Sequence, residues 1–305
     1  MELYDILPRK LKEENVRLEE IEEIRLRVGQ PLELVYADKK VKKIFVVDKS
    51  QIYELLNYAS GYSLYAYEDE LKRGFLTAKG GHRIGVVGKV TSSGMDDISG
   101  LNIRVAKEQK GCSKDVIPYI RKCEKTQNSI YNTLIISSPG DGKTTLLRDC
   151  IRELSYGSKE HPGIKVGVVD ERSEIGATFN GMVQNDLGPR TDVLDQCSKK
   201  KGMEILLRSM SPEVIAVDEI AINDCESLKE IFHCGIRVLG TIHAGSIKEV
   251  MEKEWDKRKL AFERYILIVR DLEGRRNISV YNHEFEMLRG DCHASFECNV
   301  HGLVV

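Results

Sequence analysis

The segment TLIISSPGDGKTTLLRDCIREL, residues 133–154, decides the fold. A short apolar run, TLIIS, enters a loop holding Pro139, Gly140 and Gly142, and the loop enters a stretch with helical spacing of leucines and isoleucine. A strand, a glycine-bearing loop and a helix in this order form the setting in which GKT binds phosphate. The loop N–H groups face the anion and the helix start adds its dipole. Pro139, Gly140, Asp141, Gly142, Lys143, Thr144 and Thr145 are the expected nucleotide-binding residues, with ATP and Mg²⁺ as the ligands. Lys143 is expected to reach the β- and γ-phosphates, and the Thr144 hydroxyl to ligate Mg²⁺. One position departs from GxxxxGKT: Ser137 stands where the pattern has glycine. It falls at the strand end, where a small residue is tolerated, and Pro139 and Gly140 supply rigidity and openness.

Working outward, apolar strands alternate with longer helical stretches, the rhythm of a parallel sheet. The strands read as 133–137, 165–170, 214–218, 237–242 and 265–269. VIAVDEI (214–220) is a buried strand ending in two carboxylates. Asp218 is expected to hold the Mg²⁺ shell, and Glu219 to polarise the attacking water. VVDERSEI (168–175) places Asp170, Glu171 and Glu174 past another strand, and TIHAG (241–245) places Thr241 and His243 past a third. Ligands of open α/β sheets sit at the carboxyl ends of strands, so these ends converge on one crevice. Glu171 and His243 therefore join Lys143 and Glu219 as catalytic candidates.

Residues 1–110 have a different character, mixing short helices and strands in an α+β pattern. Strands are expected at 24–29, 32–36, 43–47, 74–78, 82–90 and 101–106, with a helix over 49–60. Glycines 80, 81, 85, 88 and 94 suit turns between antiparallel strands. A polar link at 107–115 leads into the second domain, 111–305, whose tail after 290 has no assignment.

Composition narrows the function classes. A chain of 305 residues with 41% hydrophobic and 31% charged residues is globular. A formal net charge of -2 argues against a nucleic-acid binder held by bulk electrostatics, and basic density occurs only in a short polar loop at Cys197–Lys201. No run approaches the roughly 18–20 apolar residues that span a bilayer, and the charged N-terminus lacks a signal-peptide core. A cytoplasmic protein is expected, meeting membranes through partners. The eight cysteines are scattered without a CxxC pair, as suits reduced thiols. Cys292, His293, Cys298 and His301 cluster near the end, with a spacing that matches no standard zinc motif.

In order, SSPGDGKTT, VVDERSEI, VIAVDEI and VLGTIHAG resemble the phosphate loop, acidic box, magnesium strand and histidine box of the secretion-ATPase family. That family comprises the hexameric motors of type II and type IV secretion and pilus systems. IEEIRLRVGQPLEL (21–34), GGHRIGVVGKV (80–90), ISGLNIRVAKE (98–108), QNDLGPRTDVLD (184–195) and FERYILIV (262–269) resemble a sporulation branch of it, found in endospore-forming bacteria. The resemblance runs from about residue 20 to 270. It implies an α/β fold: a RecA-like P-loop ATPase domain, its mostly parallel sheet flanked by helices, preceded by a small α+β N-terminal domain. It also implies a homo-oligomeric ring, a hexamer, with nucleotide between the N-terminal domain and the core. Arginines of the N-terminal domain then reach the phosphates, Arg104 first and Arg83 second, with Arg190 a weaker candidate in the core. The sporulation branch implies a motor that energises a channel complex between mother cell and forespore through an integral-membrane platform protein. The protein would be peripherally associated with the membrane on the mother-cell side. A RecA-like nucleic-acid-dependent ATPase and an ATP-gated scaffold with little turnover are the alternatives, and no nucleic-acid partner is expected. No NKxD guanine-reading motif supports a GTPase.

Overall fold

The computed structural model describes residues 3–14, 16, 18–63, 67–91, 94–124, 127–252, 262–271 and 275–293. The chain folds into two compact units. One takes residues 1–107 and 177–185, the other residues 108–176 and 186–305.

In the first unit, α1 (Leu3–Ile6) and α2 (Arg9–Lys12) precede β1 (Ile21–Arg27), β2 (Pro31–Tyr36) and β3 (Val41–Val46). Then follow α3 (Lys49–Ala59), α4 (Glu68–Lys72), β4 (Phe75–Thr77), β5 (Arg83–Thr91) and β6 (Gly94–Arg104). The six strands form one antiparallel sheet, ordered β3-β2-β1-β6-β5-β4. Side chains alternate across a strand, so Ile24 and Leu26, Leu32 and Leu34, Ile84 and Val86, and Leu101 and Ile103 share one buried layer. Helix α3 adds Ile52, Leu55, Leu56 and Ala59 to that layer, one face at helical spacing. Its start is fixed by a capping box: Asp48 accepts the Gln51 N–H at 3.2 Å, and Gln51 accepts the Asp48 N–H at 3.0 Å.

The glycines expected at turns divide. Gly80 and Gly81 do turn the chain between β4 and β5, with φ of 85° and 77°, and Gly94 closes the β5–β6 hairpin opposite Thr91. Gly85 and Gly88 lie inside β5 instead. At Gly88 the ladder shifts register, and a Cβ there would come within 2.6 Å of the Asp96 carbonyl oxygen and 2.9 Å of Ile98 Cα. Close backbone approach at a bulge, and not a turn, requires this glycine.

The second unit opens with α5 (Ile117–Ile120), the hairpin β7 (Arg121–Glu124) and β8 (Gln127–Ile130), then β9 (Thr133–Ser137) and α6 (Lys143–Tyr156). It continues through β10 (Val166–Asp170), β11 (Thr191–Asp195), α7 (Lys199–Ser209), β12 (Val214–Val217), α8 (Cys225–His233) and β13 (Arg237–His243). It ends with α9 (Ile247–Glu252), β14 (Arg264–Arg270), β15 (Arg276–Asn282) and β16 (Met287–His293). The eight-stranded sheet is ordered β11-β10-β12-β13-β9-β14-β15-β16. Pairing is parallel from β11 to β14 and antiparallel beyond.

Strands β9, β10 and β12 are buried at every position, as a sheet covered on both faces requires. Ile135 and Ala216 join α6 residues such as Leu147 and Ile151 in one apolar layer. Leu134, Ile136, Ile215 and Val217 join Met203, Leu206, Leu228 and Ile231 of α7 and α8 in the other. Each such leucine, isoleucine, valine or methionine contributes roughly 2 kcal/mol through burial.

Four elements differ from the sequence expectation. Lys199–Lys201 begin helix α7 and are not a loop. β11, β15 and β16 extend the sheet beyond the apolar runs, because outer strands carry mixed polarity; β11 reads TDVLD and no residue of it is fully buried.

The contact at Gly88 is open to test. Gly88→Ala should lower the stability of the protein by about 1–3 kcal/mol, seen as a lower thermal midpoint, because backbone atoms must give way. An unchanged midpoint would contradict the close approach.

Candidate active site

Loop 138–142 joins β9 to α6 at the carboxyl end of the sheet. Its two glycines adopt conformations that other residues rarely tolerate, φ of 83° at Gly140 and 102° at Gly142. Ser137 makes no such demand. It is the buried last residue of β9, paired between His243 and Ile268, and its hydroxyl donates to the Ser138 carbonyl at 2.9 Å. The missing glycine of the motif thus stands where ordinary strand geometry prevails. Gly142 is the N-cap of α6 and brings no side chain to its first N–H groups, so the helix start is left open to an anion.

Lys143 opens α6 with only 8% of its side chain exposed. Its Nζ lies 3.0 Å from His243 Nε2 and 3.7 Å from Glu219 Oε1. His243 Nε2 in turn lies 2.9 Å from Glu219 Oε1. The other Glu219 oxygen meets the Arg172 guanidinium at 2.5 Å. Burial works against the Glu219 carboxylate, but the His243 contact, Arg172 and Lys143 outweigh it and hold the group below its usual range.

Next to this cluster the Thr144 hydroxyl donates to Asp218 Oδ2 at 2.8 Å. The Thr241 hydroxyl donates to the other Asp218 oxygen, and the Glu219 N–H reaches Asp218 Oδ1 at 3.0 Å and Thr241 Oγ1 at 2.8 Å. These bonds hold Glu219 at φ 50°, a left-handed conformation uncommon for a residue with a side chain and found often at functional sites. The Thr144 hydroxyl and the Asp218 carboxylate are hard oxygen donors side by side. They fit Mg²⁺, which takes one or two protein oxygens and completes its shell with water and phosphate.

Asp170 organises the acidic segment from below. Almost fully buried at the end of β10, it accepts N–H bonds from Glu174 (2.8 Å), Ile175 (2.9 Å) and Gly176 (2.7 Å). Burial outweighs those three bonds and pushes its pKa up to about 6. Ser173 Oγ donates to Asp195 Oδ1 at 2.7 Å, pinning the loop to β11. The loop thereby presents Arg172 to Glu219 and Glu171 to Lys199, the latter pair at 2.7 Å.

The candidate residues therefore fall into three groups. Lys143, Thr144, Asp218, Glu219 and His243 come together in bonded contact. Glu171 lines a small cleft with Asp218 and Glu219, held there by Lys199. Arg83 and Arg104 lie in the first unit as direct cross-strand partners, with the Arg83 guanidinium 3.8 Å over the Phe75 ring. Arg190 is a correction. It precedes β11 at the amino ends of the strands, away from the crevice, and its guanidinium donates to the Gly163 carbonyl. Cys292 and His293 fall in β16, and their side chains, with Cys298 and His301, lie outside the described residues.

Sequence reasoning missed three arginines. Arg172 sits inside a motif read only for its carboxylates. Arg270 and Arg276 flank the phosphate loop: Arg270 Nε donates to Asp141 Oδ1 at 3.1 Å and its Nη2 to the Gly140 carbonyl at 3.3 Å. The rule applied to the other strands, that chemistry gathers at carboxyl ends, finds Arg270 at the end of YILIV as well.

A family model described as sporulation stage III, protein AA matches residues 2–288. The chain belongs to this family. Stage III sporulation protein AA of Bacillus subtilis (strain 168) is 39% identical over 285 residues, which span 88% of this chain and 91% of that protein. Among solved structures, this stage III AA family member is similar to the ATPase DotB of Legionella pneumophila and of Yersinia pseudotuberculosis. Both give a TM-score of 0.56, at 17% and 13% identity, over 87% of this chain and 77% and 76% of theirs. At such identities the likeness is one of fold. It bears out the expected architecture, an α/β unit with a mostly parallel sheet flanked by helices, preceded by a sheet-containing N-terminal unit.

The raised Asp170 gives a pH dependence with a definite sign. The folded protein holds the proton to about pH 6, whereas the unfolded chain releases it near the ordinary value of 3.8. Its contribution to stability is complete below that value and is lost as pH rises through about 6. Asp170→Asn removes the titration, so the thermal midpoint of wild type should exceed that of the variant most at low pH, the gap narrowing through pH 6. A gap that stays constant would contradict the assignment.

Proposed function

We propose that this stage III AA family member is an ATP-hydrolysing motor of the secretion-ATPase type. The observation that carries the reading is the contact of Lys143 with Glu219 and His243, beside the Thr144–Asp218 pair, at adjoining ends of β9, β12 and β13.

The triphosphate binds on loop 138–142 and the start of α6, and Lys143 leaves Glu219 and His243 for the β- and γ-phosphates. Thr144 and Asp218 would hold Mg²⁺, which would neutralise charge on the phosphate oxygens when bound. Glu219, freed of the ammonium, orients a water toward the γ-phosphorus and takes its proton as the bond to the ADP oxygen breaks. His243 steers the Glu219 carboxylate through Nε2, and Glu171 borders the same cleft. Arg104, with Arg83 beside it, supplies cation to the transition state from the N-terminal unit.

The chain passes from the Arg172 loop straight into residues 177–185, which fold with the N-terminal unit. Movement of that unit thus has a covalent route to the group that grips Glu219. The working form is a homo-oligomeric ring, a hexamer, which acts on an integral-membrane platform protein of a sporulation channel complex between mother cell and forespore. The protein itself is cytoplasmic and docks peripherally on the mother-cell side; no described helix is long and apolar enough to cross a membrane. Nucleic acid is no partner in this reading, in keeping with the net charge of -2.

One observation favours a second reading, an ATP-gated scaffold. A carboxylate held below its usual range by Arg172 and His243 is a weak base.

ATP hydrolysis measured over a series of protein concentrations separates the two. The motor requires specific activity that rises with concentration, falls at least about a hundredfold in Glu219→Gln with ATP binding kept, and disappears with binding in Lys143→Ala. ATP binding without turnover at any concentration favours the scaffold, and no ATP binding at all sinks both.

A further inference from the structure

The phosphate loop has two neighbours in the sheet. On one side β13 brings His243 to Lys143; on the other β14 and β15 form an antiparallel hairpin. Arg270 and Arg276 are directly opposed in its register, so two cations face each other across the ladder, an arrangement that disfavours the pair unless an anion lies close. Asp141 of the loop is one such anion, accepting from Arg270 Nε at 3.1 Å. Arg276 lies nearer the helix. A Cβ on Gly142 would stand 3.4 Å from its Cζ and Nε and 3.6 Å from Nη2. Glycine at 142 therefore serves both the loop turn and the room this guanidinium takes.

A cation beside the first turn of a helix opposes the helix dipole, which favours negative charge there. Here the guanidinium adjoins the N-cap of α6, a helix of 14 residues whose first residue, Lys143, is itself a cation. Burial first, and Arg270 second, weaken the Arg276 cation further. A second anion of high charge at the loop reverses each of these costs together.

We propose that Arg270 and Arg276 form a cis cation pair that holds the diphosphate of the bound nucleotide. Arg270 acts as a positioning residue, fixing the loop at Gly140 and Asp141, and Arg276 contacts the phosphate oxygens beside Gly142. This assignment rests on the nucleotide-site reading above but asks more of it: part of the affinity for phosphate comes from the hairpin, within the same subunit.

Calorimetric titration of the full chain with ADP and with inorganic pyrophosphate tests it, using wild type, Arg270→Gln, Arg276→Gln, Arg276→Lys and, as control, Lys143→Ala. Loss of a charged hydrogen bond to phosphate should weaken both probes by about tenfold or more in Arg276→Gln. Arg270→Gln should weaken both by a smaller factor, and Arg276→Lys should recover part of the loss. Binding within twofold of wild type in both glutamine variants, with Lys143→Ala impaired, would overturn the pair and leave the nucleotide site standing. Loss of ADP affinity with pyrophosphate affinity intact would overturn it too, placing the arginines at the nucleoside. Failure of wild type to bind either probe would overturn the site itself. The melting temperature without ligand separates these effects from misfolding, and the comparison of the two probes within each variant is independent of the folded fraction.

Discussion

A lysine ammonium withdrawn from water must find an anion, and Lys143 finds one in Glu219. That single pairing orders the rest of the site. It draws the start of α6 toward the end of β12, and His243 of β13 completes the contact from the next strand. It also creates a conflict. An imidazole nitrogen either donates or accepts, yet Nε2 sits 3.0 Å from an ammonium and 2.9 Å from a carboxylate oxygen. It serves one of them at a time. In the proposed reading, a phosphate that takes Lys143 away resolves the conflict, leaving Nε2 with the Glu219 oxygen alone. In that reading, ligand binding and the poising of the carboxylate are thereby one event.

The supports of this cluster come from the sheet on one side and from a loop on the other. Asp218 and the backbone of Glu219 are fixed by Thr241, which is fully buried in β13. Arg172, by contrast, comes from a loop gathered around Asp170 by three N–H bonds and continued by residues 177–185 in the N-terminal unit. In the proposed reading, the grips of Lys143 and Arg172 on Glu219 therefore differ in what loosens them: a ligand phosphate for Lys143, and displacement of the loop for Arg172.

Much of this was legible in the sequence because parallel strands buried on both faces write continuous apolar runs, and their carboxyl ends follow at once. TLIIS, VGVVD, VIAVD and VLGTIH each mark both a strand and a crevice position, which is why Lys143, Thr144, Asp218, Glu219 and His243 could be named together. The outer strands were harder. TDVLD and RNISVYN are half-exposed and mix polarities, so no apolar run announces them. Gly88 looked like a turn because a glycine required by close backbone approach is spelled the same way as one required by φ. Arg172 and Arg276 were hidden for another reason: an arginine's role depends on which backbone lies within reach of its long side chain, and only register and loop path supply that.

The most direct measurement is a structure of the full chain with Mg²⁺ and a non-hydrolysable ATP analogue. The account requires the triphosphate on loop 138–142, Lys143 Nζ moved from His243 and Glu219 to the β- and γ-phosphate oxygens, and Glu219 still joined to His243. A nucleotide bound elsewhere, or one bound at the loop with Lys143 still paired to Glu219, would contradict it.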